Sequence, residues 1–217
     1  EMVLLTLVFH LSLWILMLIG PHLPWVKAYE AELQRLQAEQ QQKVAERQRE
    51  NARFVFVQPR IEPEVAFVLK KSLKGPGVTV HEALRAVDFV LPALEIVDSR
   101  IRDWKIGLFD TIADNASSGA VVLGSTPTDV GAVDLRLAGA TFHRNGEVVG
   151  TGAGGAVLGS PLNSLVWLAN TVGARGVTLD KGAVVLPGSV CAMSAVAAGD
   201  VFTATFAGLG SVTARFV

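Results

Sequence analysis

Apolar and polar positions divide this chain into three regimes. Met2 to Ile19 is an uncharged, nearly continuous apolar run, broken only by Thr6, His10 and Ser12. As a helix rising 1.5 Å per residue it would reach about 27 Å, close to the bilayer's hydrocarbon core of about 30 Å. It predicts a transmembrane or apolar leader helix over residues 1–24, with membrane contact through residues 2–19. Lys27, Arg35 and Lys43 follow the run and no positive side chain precedes it. The positive-inside rule therefore puts the remainder in the cytoplasm, anchored to the inner face of the membrane. A signal peptide is the rival, but it needs a basic start and a small-residue cleavage site, and neither is evident. Next, Tyr29 to Glu50 is rich in Ala, Glu, Gln, Leu, Lys and Arg, all good helix formers. Its sparse apolar positions predict an exposed helical spacer over residues 25–52.

From residue 53 to 217 short apolar runs alternate with turn residues, predicting a strand-rich body. Phe54 to Lys70 reads as one or two strands, ended by the turn Lys74-Gly75-Pro76-Gly77. Thr79 to Val87 reads as a helix, with Thr79 at the N-cap and Glu82 completing a capping box. Val87 to Val97 is an apolar strand. Ala120 to Leu123, Asp134 to Arg144 and Glu147 to Val149 are further strands, with Asn145-Gly146 a two-residue hairpin turn. Ser160 and Pro161 start a helix running to about Val172. Val177 to Leu186, Val201 to Phe206 and Ser211 to Phe216 complete the strands.

Half of the 217 residues are apolar, enough to bury one sizeable domain. The net charge of −1 carries no basic block, which argues against a nucleic-acid partner. Cys191 is alone, which excludes an internal disulfide and reads as a small core-filling thiol. Gly150-Thr151-Gly152-Ala153-Gly154-Gly155 satisfies G-x-G-x-x-G, but no βαβ unit flanks it, so it reads as a flexible turn.

Candidate chemistry starts at Arg60-Ile61-Glu62-Pro63-Glu64. Side chains two apart on a strand share a face, so Glu62 and Glu64 project together. Like charges on a half-buried strand repel unless a positive group sits between them, and a hard divalent cation with oxygen ligands meets that need. Glu95, in Leu94-Glu95-Ile96, is a third carboxylate among apolar neighbours. The alternative is a solvated pair on an edge strand.

From about Arg53 to Val217 the chain resembles the 2-keto-4-pentenoate hydratase branch of the fumarylacetoacetate hydrolase-like superfamily. The blocks carrying the resemblance are Gln58 to Leu69, Leu91 to Ile101, Asp110 to Gly119, Leu158 to Asn163, Trp167 to Asn170, Leu186 to Ser189 and Leu209 to Val212. The resemblance implies a mixed α+β fold: a curved mixed β-sheet roll with peripheral helices, here preceded by the apolar helix and the polar spacer. It implies that Glu62, Glu64 and Glu95 hold Mg²⁺ (or Mn²⁺), and that Asn115, Ser117, Gly188 and Ser189 position substrate. The substrate would be a 2-oxo or 2-hydroxy dienoate, gripped by the metal at its carboxylate and C2 oxygen. Water would add to the far end of the conjugated chain, giving a 4-hydroxy-2-oxo acid in aromatic or steroid ring degradation, and a homo-oligomer is implied. The family's catalytic lysine stands in a Gly-x-Lys-x-Gly-Leu-Thr-like stretch that does not occur here. Lys27 and Lys43 lie in other surroundings, so no catalytic residue is carried over. Two alternatives follow: a decarboxylase of 2-oxo-3-hexenedioate using the same metal, and a catalytically impaired, membrane-tethered scaffold. Asp98, Arg100 and Asp110 read as structural or ligand-supporting groups, with Asp98 and Arg100 leaning structural.

Overall fold

The computed structural model describes residues 54–217, together with helical residues 27, 28, 31, 32, 34–36, 38 and 39. The apolar run of Met2 to Ile19 lies outside them, as does most of the predicted spacer. The chain divides into two units, Glu1–Val55 and Phe56–Val217. In the first, the described residues between 27 and 39 are helical and exposed, and Arg35 pairs with Glu32 at 3.5 Å and Glu39 at 3.1 Å. Spacings of three and four residues are neighbours on a helix surface, so the polar pattern supports the helix locally. Among the described residues, no helix is long and apolar enough to cross a membrane.

The second unit is built on two antiparallel sheets. In the first sheet β1 (Pro59–Leu69), β2 (Val87–Asp98) and β3 (Ser118–Leu123) run in the order β3-β2-β1, and β1 also pairs with β6 (Val184–Val185) and β7 (Ser194–Ala195). In the second, β4 (Gly139–Arg144), β5 (Glu147–Ala153), β8 (Val201–Phe206) and β9 (Gly210–Arg215) run in the order β5-β4-β8-β9.

Alternation along β1 and β2 makes the first sheet two-faced. Ile61, Val65, Phe67 and Leu69 join Val90, Leu94 and Ile96 in the main core. The other face carries Glu62, Glu64 and Ala66 on β1 opposite Glu95, Ala93 and Leu91 on β2. There Ala66, Leu91 and Ala93 form a separate small buried cluster, edged by Val68, Phe89 and Leu186. The second sheet closes the main core with Phe142, Phe202 and Phe206, and the rings of Phe142 and Phe202 stack at 5.4 Å. Each such fully buried ring contributes about 1.5–3 kcal/mol, so this face dominates the apolar stabilisation.

Two helices form where the sequence predicts, and a third, short one joins them. α1 (Val80–Ala86) starts at Thr79 with both hydrogen bonds of the capping box, then buries Ala83 and Ala86. α2 (Leu108–Ala113) is a short helix whose Asp110 accepts the Gly107 N–H at 2.9 Å. α3 (Pro161–Gly173) has Pro161 in its first turn and buries Pro161, Leu165, Ala169 and Gly173, one residue per turn. The β4–β5 hairpin turns at Asn145 and Gly146, both at positive φ, and the Asn145 side chain reaches Asp200 and the Val201 N–H.

Three local expectations change. The strand predicted from Asp134 begins only at Gly139, because the Asp134 carboxylate accepts the N–H of Arg136 and turns the chain. The strand predicted over Val177 to Leu186 shrinks to Val184–Val185, since Ala183 donates back to Asp180 across a turn containing Gly182 at φ 84°. The glycine run of residues 150–155 is not a flexible turn: it finishes β5 and enters a short 3-10 helix, Gly154–Ala156, in tight packing. A Cβ on Gly152 would stand 2.0 Å from the Val190 carbonyl oxygen, and one on Gly154 1.8 Å from that of Leu135.

Candidate metal centre

Pairing of β1 with β2 sets Glu62 directly opposite Glu95, and Glu64 follows on the same face. Each of the three offers a carboxylate oxygen within 4.8 Å of the others. Solvation does not explain the cluster: Glu64 is only 2% exposed, which rules out the edge-strand alternative for it. At this separation each ionised pair repels by at least about 3 kcal/mol at an effective dielectric constant of about 20.

The protonation equilibria register that strain. Burial pushes the Glu64 carboxyl up to about 8; the Gly188 N–H opposes the rise, while the charges of Glu95 and Glu62 add to it. Glu62 is raised by burial and then by Glu95. Glu95 is also raised by burial, and is drawn back by the hydrogen bond it shares with Glu64. A proton held between Glu64 and Glu95 is one relief; a dication is a larger one. Three hard oxygen donors from two adjacent strands, on a buried apolar floor, fit a small divalent cation that keeps its remaining positions for water or ligand.

The segment after β6 braces this cluster. Gly188 donates its N–H to Glu64 Oε2 at 2.8 Å, and its φ of 132° is a conformation that L side chains rarely adopt. The Ser189 hydroxyl donates to the Cys191 carbonyl at 2.6 Å and lies 3.4 Å from that of Pro63. The Cys191 thiol is half-buried, its pKa raised by burial and then by Glu62.

Asn115 and Ser117 lie in a left-handed stretch, with φ between 53° and 57° from Asn115 to Ser117. Ser117 is buried and gives its hydroxyl to Asp114 at 2.8 Å; Asn115 is exposed. Asp114 also accepts from Ser99 and the Arg100 N–H and pairs with the Arg100 guanidinium, a hub that residue spacing did not reveal. These bonds hold its carboxyl below the usual range against the opposing effect of desolvation. Asp98 is structural: it accepts the N–H groups of Val57 and Gln58 at 2.8 and 2.7 Å.

Residues 34–217 match the family described as fumarylacetoacetate (FAA) hydrolase C-terminal. The chain is 52% identical over 162 residues to the 2-keto-4-pentenoate hydratase of Paraburkholderia xenovorans (strain LB400), covering 75% of this chain and 60% of that protein. It is 48% identical over 161 residues to the 2-hydroxyhexa-2,4-dienoate hydratase of Comamonas testosteroni, covering 74% and 61%. Among solved structures, 4-oxalocrotonate decarboxylase from Pseudomonas putida G7, complexed with magnesium and adipate, superposes with a TM-score of 0.72. It is 41% identical and covers 75% of this chain and 62% of that one. The chain thus spans about three fifths of the length of these relatives.

Proposed function

The chain belongs to the fumarylacetoacetate (FAA) hydrolase C-terminal family, and from that premise we propose that it is a metal-dependent hydro-lyase. Its substrate is 2-hydroxypenta-2,4-dienoate, hydrated to 4-hydroxy-2-oxopentanoate. The observation that carries this reading is the convergence of Glu62, Glu64 and Glu95 from two paired strands. These three carboxylates hold Mg²⁺ or Mn²⁺. The metal, when bound, supplies Lewis-acid polarisation of the substrate's C2 oxygen as the dienol becomes a ketone.

The chain's own groups set the conditions for that chemistry. Gly188 donates to one oxygen of the Glu64 carboxylate, which restrains the rotation of this ligand. Ala66, Leu91 and Ala93 keep water from beneath the carboxylates, which strengthens every charge interaction above them. Gly188, Ser189 and Asn115 are the polar groups that approach the substrate. Ser117 acts one step back, by holding Asp114 and the turn that carries Asn115. The protein serves aromatic or steroid ring degradation in the cytoplasm and works as a homo-oligomer.

A second reading, decarboxylation of 2-oxo-3-hexenedioate, draws support from the decarboxylase neighbour with magnesium and adipate. Ultraviolet absorbance tests both. Purified protein with Mg²⁺ should bleach the dienoate chromophore without releasing carbon dioxide; release would favour the decarboxylase. Metal-dependent thermal stabilisation with no turnover of either substrate would favour the scaffold alternative and overturn the enzyme reading.

A further inference from the structure

We propose that Arg60 is the anion-binding residue of this site, taking the outer carboxylate oxygen of a 2-oxo acid whose head lies at Glu62, Glu64 and Glu95. The proposal rests on the metal-centre reading and deepens it.

Three observations converge. First, Arg60 lies two residues before Glu62 on β1, so Arg60, Glu62 and Glu64 form one row on one face, about 7 Å from one Cα to the next. Second, a single segment walks along that row. Gly188 donates its N–H to Glu64, Val190 donates to the Pro63 carbonyl at 3.1 Å, and Met193 Sδ accepts from Arg60 Nη1 at 3.6 Å. Ala195 then pairs with Arg60 in strand register. Arg60 therefore stands at the end of the strand row that carries the carboxylates.

Third, Arg60 is held apart from those carboxylates. Its guanidinium carbon lies 4.4 Å from the centre of the Trp104 ring, a cation–π contact. Trp104 is itself fixed: its indole N–H donates to the Gln58 carbonyl at 2.9 Å, and Asp103 and Trp104 both adopt positive φ. Gln58 in turn donates to the carbonyls of Ser99 and Ile101. Among the described residues, Arg60 forms no ion pair within 4.0 Å. An arginine beside three crowded carboxylates would ordinarily close onto one of them, relieving both charges. Here the Trp104 ring and the Met193 thioether are its contacts instead, and neither neutralises the charge of a guanidinium, the group whose planar fork recognises a carboxylate through two parallel hydrogen bonds.

Oxalate, the two-carbon analogue of a 2-oxo acid head, is the probe. Calorimetric titrations use the full chain: Mg²⁺ alone, then oxalate onto the Mg²⁺-saturated protein. Arg60→Gln should retain Mg²⁺ affinity and bind oxalate about 10- to 100-fold more weakly, the loss of a hydrogen-bonded charge partner. Trp104→Leu leaves Arg60 in place but removes its perch, and should weaken oxalate about 3- to 10-fold. If Arg60→Gln no longer shows a Mg²⁺-dependent rise in melting temperature, Arg60→Lys carries the test. It keeps the charge without the fork, and should lose about fivefold in oxalate affinity. Oxalate affinity within twofold of wild type in the folded Arg60 variant overturns the proposal. Failure of the wild type to bind Mg²⁺ would instead sink the metal reading. Oxalate titrations without metal, wild type against Arg60→Gln, would then decide Arg60 by the same criterion.

Discussion

Glu64→Gln separates the cost of crowding three carboxylates from the benefit of filling them with a cation. Glu64 is buried, and its carboxyl is pushed from 4.5 up to about 8. A group whose folded value exceeds its unfolded one stabilises the fold fully below the unfolded value, here 4.5, and loses that contribution as pH rises to about 8. At about 1.4 kcal/mol for each pH unit, the span caps the loss at about 5 kcal/mol. Because Glu64 shares its proton with Glu95, roughly half of that, about 2–3 kcal/mol, is the expected loss in metal-free protein. For a folded body of this size, 1 kcal/mol shifts the melting temperature by about 2–4 °C. Relative to Glu64→Gln, metal-free wild type should therefore lose roughly 5–10 °C between pH 5 and pH 8. The amide keeps the size of the side chain and can still accept the Gly188 N–H, so packing is preserved. Adding Mg²⁺ at about a hundred times its dissociation constant should return about 2.7 kcal/mol to the wild type at pH 8. The variant should recover far less. Scanning calorimetry at pH 5, 6.5 and 8, with chelator or with Mg²⁺, reads both effects. Parallel pH dependence in the two proteins, or equal stabilisation of both by Mg²⁺, would refute the reasoning.

Other perturbations address the framework. Gly154→Ala forces a methyl against the Leu135 carbonyl and should cost about 2–3 kcal/mol in urea denaturation, whereas Gly146→Ala meets no atom and suffers only from its positive φ. Ser117→Ala should cost about 1–2 kcal/mol by removing a donor from Asp114, with Mg²⁺-dependent stabilisation unchanged; loss of that stabilisation would place Ser117 at the centre itself. Asp200 is held below its ordinary value first by the Arg144 hydrogen bond, then by the N–H of Ala197 and the amide of Asn145, against desolvation. A depressed carboxyl stabilises above its unfolded value and loses this as pH falls through the folded one. Asp200→Asn should thus be less stable than wild type at pH 7, with the gap in urea midpoints closing below about pH 4.

Much of the fold was legible because local signals and packing agree. The Thr79–Glu82 capping box, Pro161 in the first turn of α3 and the Asn145-Gly146 hairpin appear as predicted, since each is decided within a few residues. Long alternating runs in β1 and β2 left little choice of face, and with the faces came the two glutamates of β1. What the one-dimensional pattern hid depends on distant partners. Nothing near Asp134 announces that its carboxylate will stop a strand, and the glycines at 152 and 154 look flexible until the carbonyls of Val190 and Leu135 arrive. Glu95 joined the site through resemblance, because its approach to Glu62 requires the β1–β2 register, which chain spacing does not state. Asp114 was not singled out within the block Asp110 to Gly119 for the same reason: its donors come from residues 99, 100 and 117.

The two-sidedness of β1 constrains how this lineage can change. Deleting or inserting one residue just before Ile61 would exchange the faces of the strand that follows, sending Glu62 and Glu64 into the packed interior and Ile61 and Val65 out to the ligand side. Indels in this segment are therefore doubly lethal, whereas apolar swaps of similar volume at Val65 or Phe67 touch only one side. The hairpin tip at Asn145 and Gly146 carries no such two-faced row; what constrains it is the Asn145 side chain, which ties the turn to Asp200 and Val201.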